Sequence, residues 1–163
     1  MSDRAESQLF ADDLVVGQTF AGEPHAVGDA EFHLFARLTG DDHPIHYDDA
    51  FAAKTRFGKR LAHGLLLISM TALGATPMSR RLHDAMVAFA EQRSRFLKPV
   101  FVGDVVTSSF QVAAIERKQG RDAALVRFNV RLLNNAGEAV LEGEHAYFLR
   151  WRRAPASGSA HAT

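Results

Sequence analysis

"HGLLLISMTALGATP", residues 63–77, constrains how the rest of the chain must be arranged. Leu65, Leu66, Leu67, Ile68, Met70, Leu73 and several alanines point in nearly every direction around a helix, so the segment reads as a helix buried on all sides. At roughly 12 residues it would be only about 18 Å long, too short to cross a bilayer. Other parts of the protein must therefore enclose it. Gly74 and Pro77 mark its end.

The enclosing elements lie downstream. Residues 105–117 alternate, with Val106, Phe110, Val112 and Ala114 on one side. Residues 123–133 alternate again, with Ala124, Val126, Phe128, Val130 and Leu132 inward and Arg127, Asn129 and Arg131 outward. "NNAG" (134–137) is a hairpin signal, 138–151 reads as another long strand, and an earlier strand covers about 86–97. Long antiparallel strands with one apolar face, plus one apolar helix, imply an α+β hot-dog architecture, a curved sheet wrapped around a central helix. The spacing does not give the strand order.

The totals bound the rest. A chain of 163 residues with 47% hydrophobic residues is expected to form one domain over 15–151, with a loosely held segment at 1–14 and a disordered tail at 152–163. Its 19 basic and 19 acidic side chains cancel, which gives no support for a nucleic-acid or anionic-membrane partner. The absence of cysteine rules out disulfides and thiolate metal sites and fits a reducing cytoplasm. The start, "MSDRAESQLFADD", is polar and acidic, unlike a secretory signal.

Upstream of the central segment, "VGDAEFHLFARLTG" (27–40) reads as a short helix. Asp29 is placed to cap it, Glu31 suits its positive end, Phe32, Phe35 and Ala36 share a face, and Gly40 offers a left-handed exit. "TGDDHPIHYD" (39–48) follows and gathers carboxylates and two histidines around Pro44. Asp41 and His46 are five positions apart, about 17 Å if extended, too far to share one water molecule. Gly40 and Pro44 favour a bend that turns both side chains the same way. A carboxylate beside an imidazole can take a proton from water attacking an electron-poor carbon and return one to the adjacent carbon. The Gly64 amide, at the tip of the central helix, is an unpaired donor suited to a developing oxyanion, although Gly64 is equally a good first residue for a crowded helix.

Together "FARLTGDDHPIHYDDAFA" and "AHGLLLISM" resemble the motif of the MaoC-type dehydratases, which include the (R)-specific enoyl-CoA hydratases. The resemblance covers most of residues 15–151. It implies a hot-dog fold, a homodimer or higher assembly, an acyl-CoA thioester substrate and no cofactor beyond the coenzyme A of that substrate. It assigns Asp41 and His46 as the catalytic pair and the Gly64 amide as the thioester-oxygen donor. It matches Ser69 to a serine that supports the pair, a hydroxyl that can equally bond the preceding helical turn. His43 replaces the family's water-holding asparagine, and Arg60 stands where many relatives have proline, as a phosphate contact or a solvated residue. His63 caps the helix or lines the entrance, positioning substrate or water. His145 reads as a packed, hydrogen-bonded core histidine. Arg93, Arg95 and Lys98 form a solvated strand face or meet the CoA phosphates, while Asp42, Asp48 and Asp49 serve as loop caps and surface charge.

Three rivals remain. Histidines three apart with flanking aspartates suit a divalent metal, but Pro44 is expected to break the helix that would align them, so no metal is expected. Hot-dog thioesterases often carry a carboxylate on or before the central helix, and residues 64–79 contain none. A non-catalytic acyl-CoA-binding subunit would carry the same residues without turnover.

Overall fold

A computed structural model describes residues 7–120 and 122–152 of the chain. Six strands, β1 (Thr19–Ala21), β2 (His25–Val27), β3 (Met86–Phe96), β4 (Asp104–Arg117), β5 (Ala123–Asn134) and β6 (Ala139–Arg150), form one antiparallel sheet. The order is β1-β4-β5-β6-β3, with β2 also pairing to β4. Helices α1 (Asp29–Thr39), α2 (Pro44–Tyr47), α3 (Asp49–Ala53), α4 (Gly64–Ser69) and α5 (Met78–Arg81) fall between β2 and β3. This is the hot-dog arrangement expected from the alternation.

Strands β4 and β5 form where their period-2 pattern predicts, and β3 and β6 fall within the two other long strands expected. On β5, Ala124, Val126, Phe128, Val130 and Leu132 are buried, whereas Asn129 and Arg131 are exposed. The inward row of β4 runs from Val106 to Val112 and then shifts at a bulge between Val112 and Ala114. The β5–β6 hairpin closes through Asn134, whose side-chain oxygen accepts the Ala136 and Glu138 amides, with Gly137 at φ 74°.

The core comprises two apolar clusters. One joins Leu73, Phe110, Phe128 and Leu149; the other joins Phe32, Leu67, Val106 and Leu141. Buried polar residues mark the crossing on three elements. Thr71 lies between Leu67 and Leu73, Ser108 between Val106 and Phe110, and His145 between Leu141 and Tyr147.

The central segment departs from expectation. It is α4, a turn, a short 3-10 stretch (Leu73–Ala75) and then α5, and it is not buried all round: Leu66, Leu67 and Leu73 are buried but Leu65 is 67% exposed. Hydroxyls explain the break. Ser69 Oγ and Thr71 Oγ1 donate to the Leu66 and Ile68 carbonyls, each at 2.6 Å, competing with the backbone ladder. Ala72 is then extended, and Pro77 is the N-cap of α5, where its missing N–H costs nothing.

Of the segment expected to be loosely held at 1–14, residues 1–6 lie outside the described residues, whereas residues 9–14 are packed against the domain. Ala11 and Leu14 are buried in the first cluster, and the Leu9 N–H donates to the Arg81 carbonyl at 2.7 Å. Arg152 clasps this segment through the Asp13 carboxylate and stacks over Phe10. Of the tail expected at 152–163, residues 153–163 lie outside the described residues.

The N-cap of helix α1 lies one residue before the expected Asp29. Gly28 is the extended N-cap, and Glu31 Oε2 accepts its N–H at 2.9 Å. Asp29 instead meets Arg60 Nη1 at 2.5 Å, while Arg60 Nε donates to Asp49 Oδ1 at 2.8 Å. Arg60 is therefore a largely buried tie between α1 and α3, neither solvated nor free for phosphate. Among the described residues, no helix is long and apolar enough to cross a membrane.

Candidate active site

Two backbone features bend the loop around Asp41. Gly40 ends α1 in the left-handed region at φ 77°, and its N–H bonds the Ala36 carbonyl at 2.7 Å. Pro44 does not merely interrupt helix, as expected, but opens the turn α2, with His43 ahead of it at φ −56°, ψ 130°. His43 Nδ1 accepts the Ile45 N–H at 3.3 Å, so this histidine caps α2 as an asparagine oxygen can. Asp48 caps α3 in turn, accepting the Phe51 N–H at 3.0 Å.

This bend brings the predicted pair together and adds a third residue. One ligand-type atom from each of Asp41, His46 and His63 lies within 4.8 Å of the others. His46 Nδ1 is 2.6 Å from the Leu61 carbonyl oxygen. A carbonyl only accepts, so Nδ1 carries the hydrogen and Nε2 presents a lone pair. Asp41 is exposed at the mouth, and its backbone carbonyl accepts from the Tyr47 hydroxyl at 3.1 Å.

His63 is the N-cap residue of α4, but its side chain makes no capping bond. It is 2% exposed, and its ring lies face to face with His46, centroids 3.7 Å apart and planes 23° from parallel. Its Nε2 is 2.9 Å from the Tyr47 hydroxyl, and its Nδ1 is buried with no partner among the described residues. Burial first, and then the neighbouring His46, hold His63 below the ordinary imidazole value, with Asp41 opposing. Burial, and then the Asp41 and Asp42 charges, push the Tyr47 phenol up.

Because the His46 ring carries His63 against it, the tip of α4 stands beside the pair. Among the described residues the Gly64 N–H has no acceptor, as expected of a first helical residue. The space left by its missing side chain is filled on one side by Phe96, since an added Cβ would lie 2.9 Å from Phe96 Cζ.

Other predicted residues stand apart from this centre. Ser69 Oγ donates to the Leu66 carbonyl and does not reach Asp41 or His46. His145 is 3% exposed, between Thr71 and Phe89, and is the packed core histidine expected. Lys98 pairs with Glu138 at 2.6 Å and Arg95 pairs with Glu142. Arg93 and Arg95 line a polar groove of about 840 Å³ on the sheet's outer face. Tyr47 was not anticipated. The signal for it was an aromatic hydroxyl next to His46, readable only once α2 was recognised as helical.

The rings of His46 and His63 also bear on metal binding. Two imidazoles sharing an ion must both point their in-plane lone pairs at it, with bonds of about 2 Å. Nearly parallel stacked rings cannot do so without rotating, and His63 Nε2 already meets Tyr47.

An antiparallel sheet packed over a short helix defines a hot-dog protein, here with Asp41 and His46 brought together near the tip of that helix. The chain belongs to the MaoC-like domain family, which matches residues 13–134. It is 34% identical over 136 residues to the (R)-specific enoyl-CoA hydratase of Aeromonas caviae, covering 83% of this chain and 96% of that one. It is 33% identical over 138 residues to the 3-hydroxybutyryl-CoA dehydratase of Methylorubrum extorquens, covering 83% and 81%. Among solved structures it matches a monoamine oxidase regulatory protein of Archaeoglobus at TM-score 0.83 and 30% identity, covering 91% of this chain and 99% of that one.

Proposed function

We propose that this chain is a hydro-lyase that adds water across the double bond of a trans-2-enoyl-CoA to give an (R)-3-hydroxyacyl-CoA, or runs the reverse dehydration. The observation that carries this reading is the convergence of the Asp41 carboxylate and His46 beside the tip of α4. Water held between them attacks carbon 3 and gives up a proton to the pair. The pair delivers a proton to carbon 2, and the Gly64 N–H stabilises the enolate oxygen in between. His43 Nε2–H, left free by the capping bond at Nδ1, positions water and substrate, whereas His63 is too buried to line the entrance as expected and stands behind His46. Ser69 has no part in the reading, because its hydroxyl is already engaged. No metal or redox cofactor is needed, and the coenzyme A arrives with the substrate.

The test is loss of enoyl-thioester absorbance over a panel of acyl-CoAs. Wild type should be active and Asp41→Asn slower by about 10²–10⁴-fold. Equal activity of the two proteins would remove Asp41 from the mechanism. Release of free CoA in place of hydrated product would instead indicate a thioesterase, which the lack of any carboxylate on α4 disfavours.

One observation favours a second reading, an acyl-CoA-binding subunit without turnover: Phe96 sits against Gly64, where the thioester oxygen must approach. That reading predicts binding of substrate analogues with no hydration even at high protein concentration.

We also infer a homodimer or higher assembly. Strand β3 is a sheet edge with Phe89 54% and Phe96 51% exposed, and Leu65 of α4 is bare as well. Such an edge is ordinarily covered. Neither nucleic acid nor membrane is a partner in this reading, and a cytoplasmic protein fits it, since an acyl-CoA substrate and a cysteine-free chain both suit that compartment.

A further inference from the structure

His46 has one hydrogen bond to the backbone, from Nδ1 to the Leu61 carbonyl. A single bond fixes the tautomer but leaves the ring free to rock about that contact. A second constraint comes from the ring face. His63 lies flat against it, and His63 is itself fixed by Phe32 and Phe35, with ring centroids 5.3 and 4.8 Å away, and by Tyr47.

Counting hydrogens decides how Tyr47 works. Its hydroxyl meets the Phe32 carbonyl at 2.9 Å, the Asp41 carbonyl at 3.1 Å and His63 Nε2 at 2.9 Å. The phenol has one hydrogen, and both carbonyls can only accept. Giving that hydrogen to the carbonyls avoids setting two carbonyl oxygens against the phenol oxygen with no hydrogen between them, and His63 then donates from Nε2 to the phenol oxygen. His63 is then the Nε2–H tautomer, and its partnerless Nδ1 is a buried lone pair.

A neutral ring face is what a transiently protonated His46 can tolerate at 3.7 Å, whereas a second positive ring there would repel it. The other titratable groups around the stack are Asp41, Asp42 and His43 from the loop and His33 of α1, whose ring lies 5.5 Å from Tyr47. Only the stacked His63 faces the His46 ring this closely.

We propose that Tyr47 and His63 are positioning residues for the hydration: Tyr47 fixes His63 as the neutral Nε2–H tautomer, and the His63 ring holds His46 with Nε2 turned to the water. This inference rests on the reading of His46 as an acid–base group, and its test separates the two.

Nitrogen-15 NMR of the histidine-labelled full-length protein near neutral pH should show hydrogen on Nδ1 of His46 and on Nε2 of His63. Hydrogen on Nδ1 of His63 overturns the proposal whether or not the protein is active. On crotonyl-CoA, Tyr47→Phe should lower kcat about tenfold with KM within twofold of wild type, and should move the acid limb of the pH–rate profile to lower pH, because a charged His63 loses the phenol oxygen that accepts from Nε2–H. His63→Phe, which keeps the ring face, should retain at least a third of wild-type kcat, while His63→Leu loses more than tenfold. Wild-type kcat in Tyr47→Phe, or equal losses in His63→Phe and His63→Leu with an unmoved pH profile, would reduce both residues to packing. Wild type inactive on every enoyl-CoA, with the NMR pattern intact, would sink the hydratase reading and leave the tautomer assignment standing.

Discussion

His145 differs from His63 in having no polar partner better than Thr71 Oγ1 at 3.4 Å, and its Nδ1 is partnerless. Burial among Phe89, Phe110 and Tyr147 pushes its imidazole down to about 4. A base with a depressed folded value binds fewer protons folded than unfolded, so its contribution is complete above about pH 6.5 and is lost as the pH falls toward 4. Urea unfolding followed over that window should show stability declining by up to about 3 kcal/mol from this residue, with His63 adding in the same direction. His145→Leu should flatten the slope without lowering stability at pH 7. Gly64→Ala makes the opposite point, because Phe96 is half exposed and its ring can give way. It should change the melting temperature little while lowering hydration of crotonyl-CoA at least tenfold. At this scale the convergence of Asp41 and His46 near the tip of α4 was legible, since each element is tied to a local backbone signal. Ser69 was left between support of the pair and donation to the preceding turn, which look the same in sequence, and its hydroxyl takes the second.

Strands were easier to read than helices. Period-2 alternation on β4 and β5 survives because one face of each strand is continuously buried, and a slip would expose all of it. The apolar run at 63–77 misled because uniform hydrophobicity gives no phase. Leu65 counts like Leu66 in sequence, yet only Leu66 faces the chain's own core. The hydroxyls of Ser69 and Thr71 then cut the helix to six residues. The α2 turn was hidden for the reverse reason: proline was expected to break helix, and here it starts one. The sheet has its own tight spot. A Cβ on Gly143 would overlap the Arg93 carbonyl oxygen where β3 and β6 pair. That oxygen belongs to the ladder and cannot swing aside, so Gly143→Ala should cost about 3 kcal/mol in chemical denaturation and loosen β3 first in hydrogen exchange.

For the molecule as a whole, strand order was out of reach of spacing, because pairings such as β3 with β6 join residues about fifty positions apart. The same topology leaves β3 at the edge, next to the bare side of α4. If a second copy covers this surface, Leu65→Glu should leave the protomer folded by circular dichroism but shift sedimentation from dimer toward monomer. An unchanged sedimentation profile would place the contact elsewhere. Anchoring at the reactive centre follows a different logic from that surface. The groups gripping its rings from outside are the oxygens of Leu61, Phe32 and Asp41, all peptide atoms. Substitution at those three positions leaves the oxygens in place, so genetic drift of the Leu61 side chain is insulated from the chemistry, whereas the Phe32 ring also packs on His63. A change in chain path, such as an insertion between residues 47 and 61, would put the aligned rings out of true even with every side chain kept.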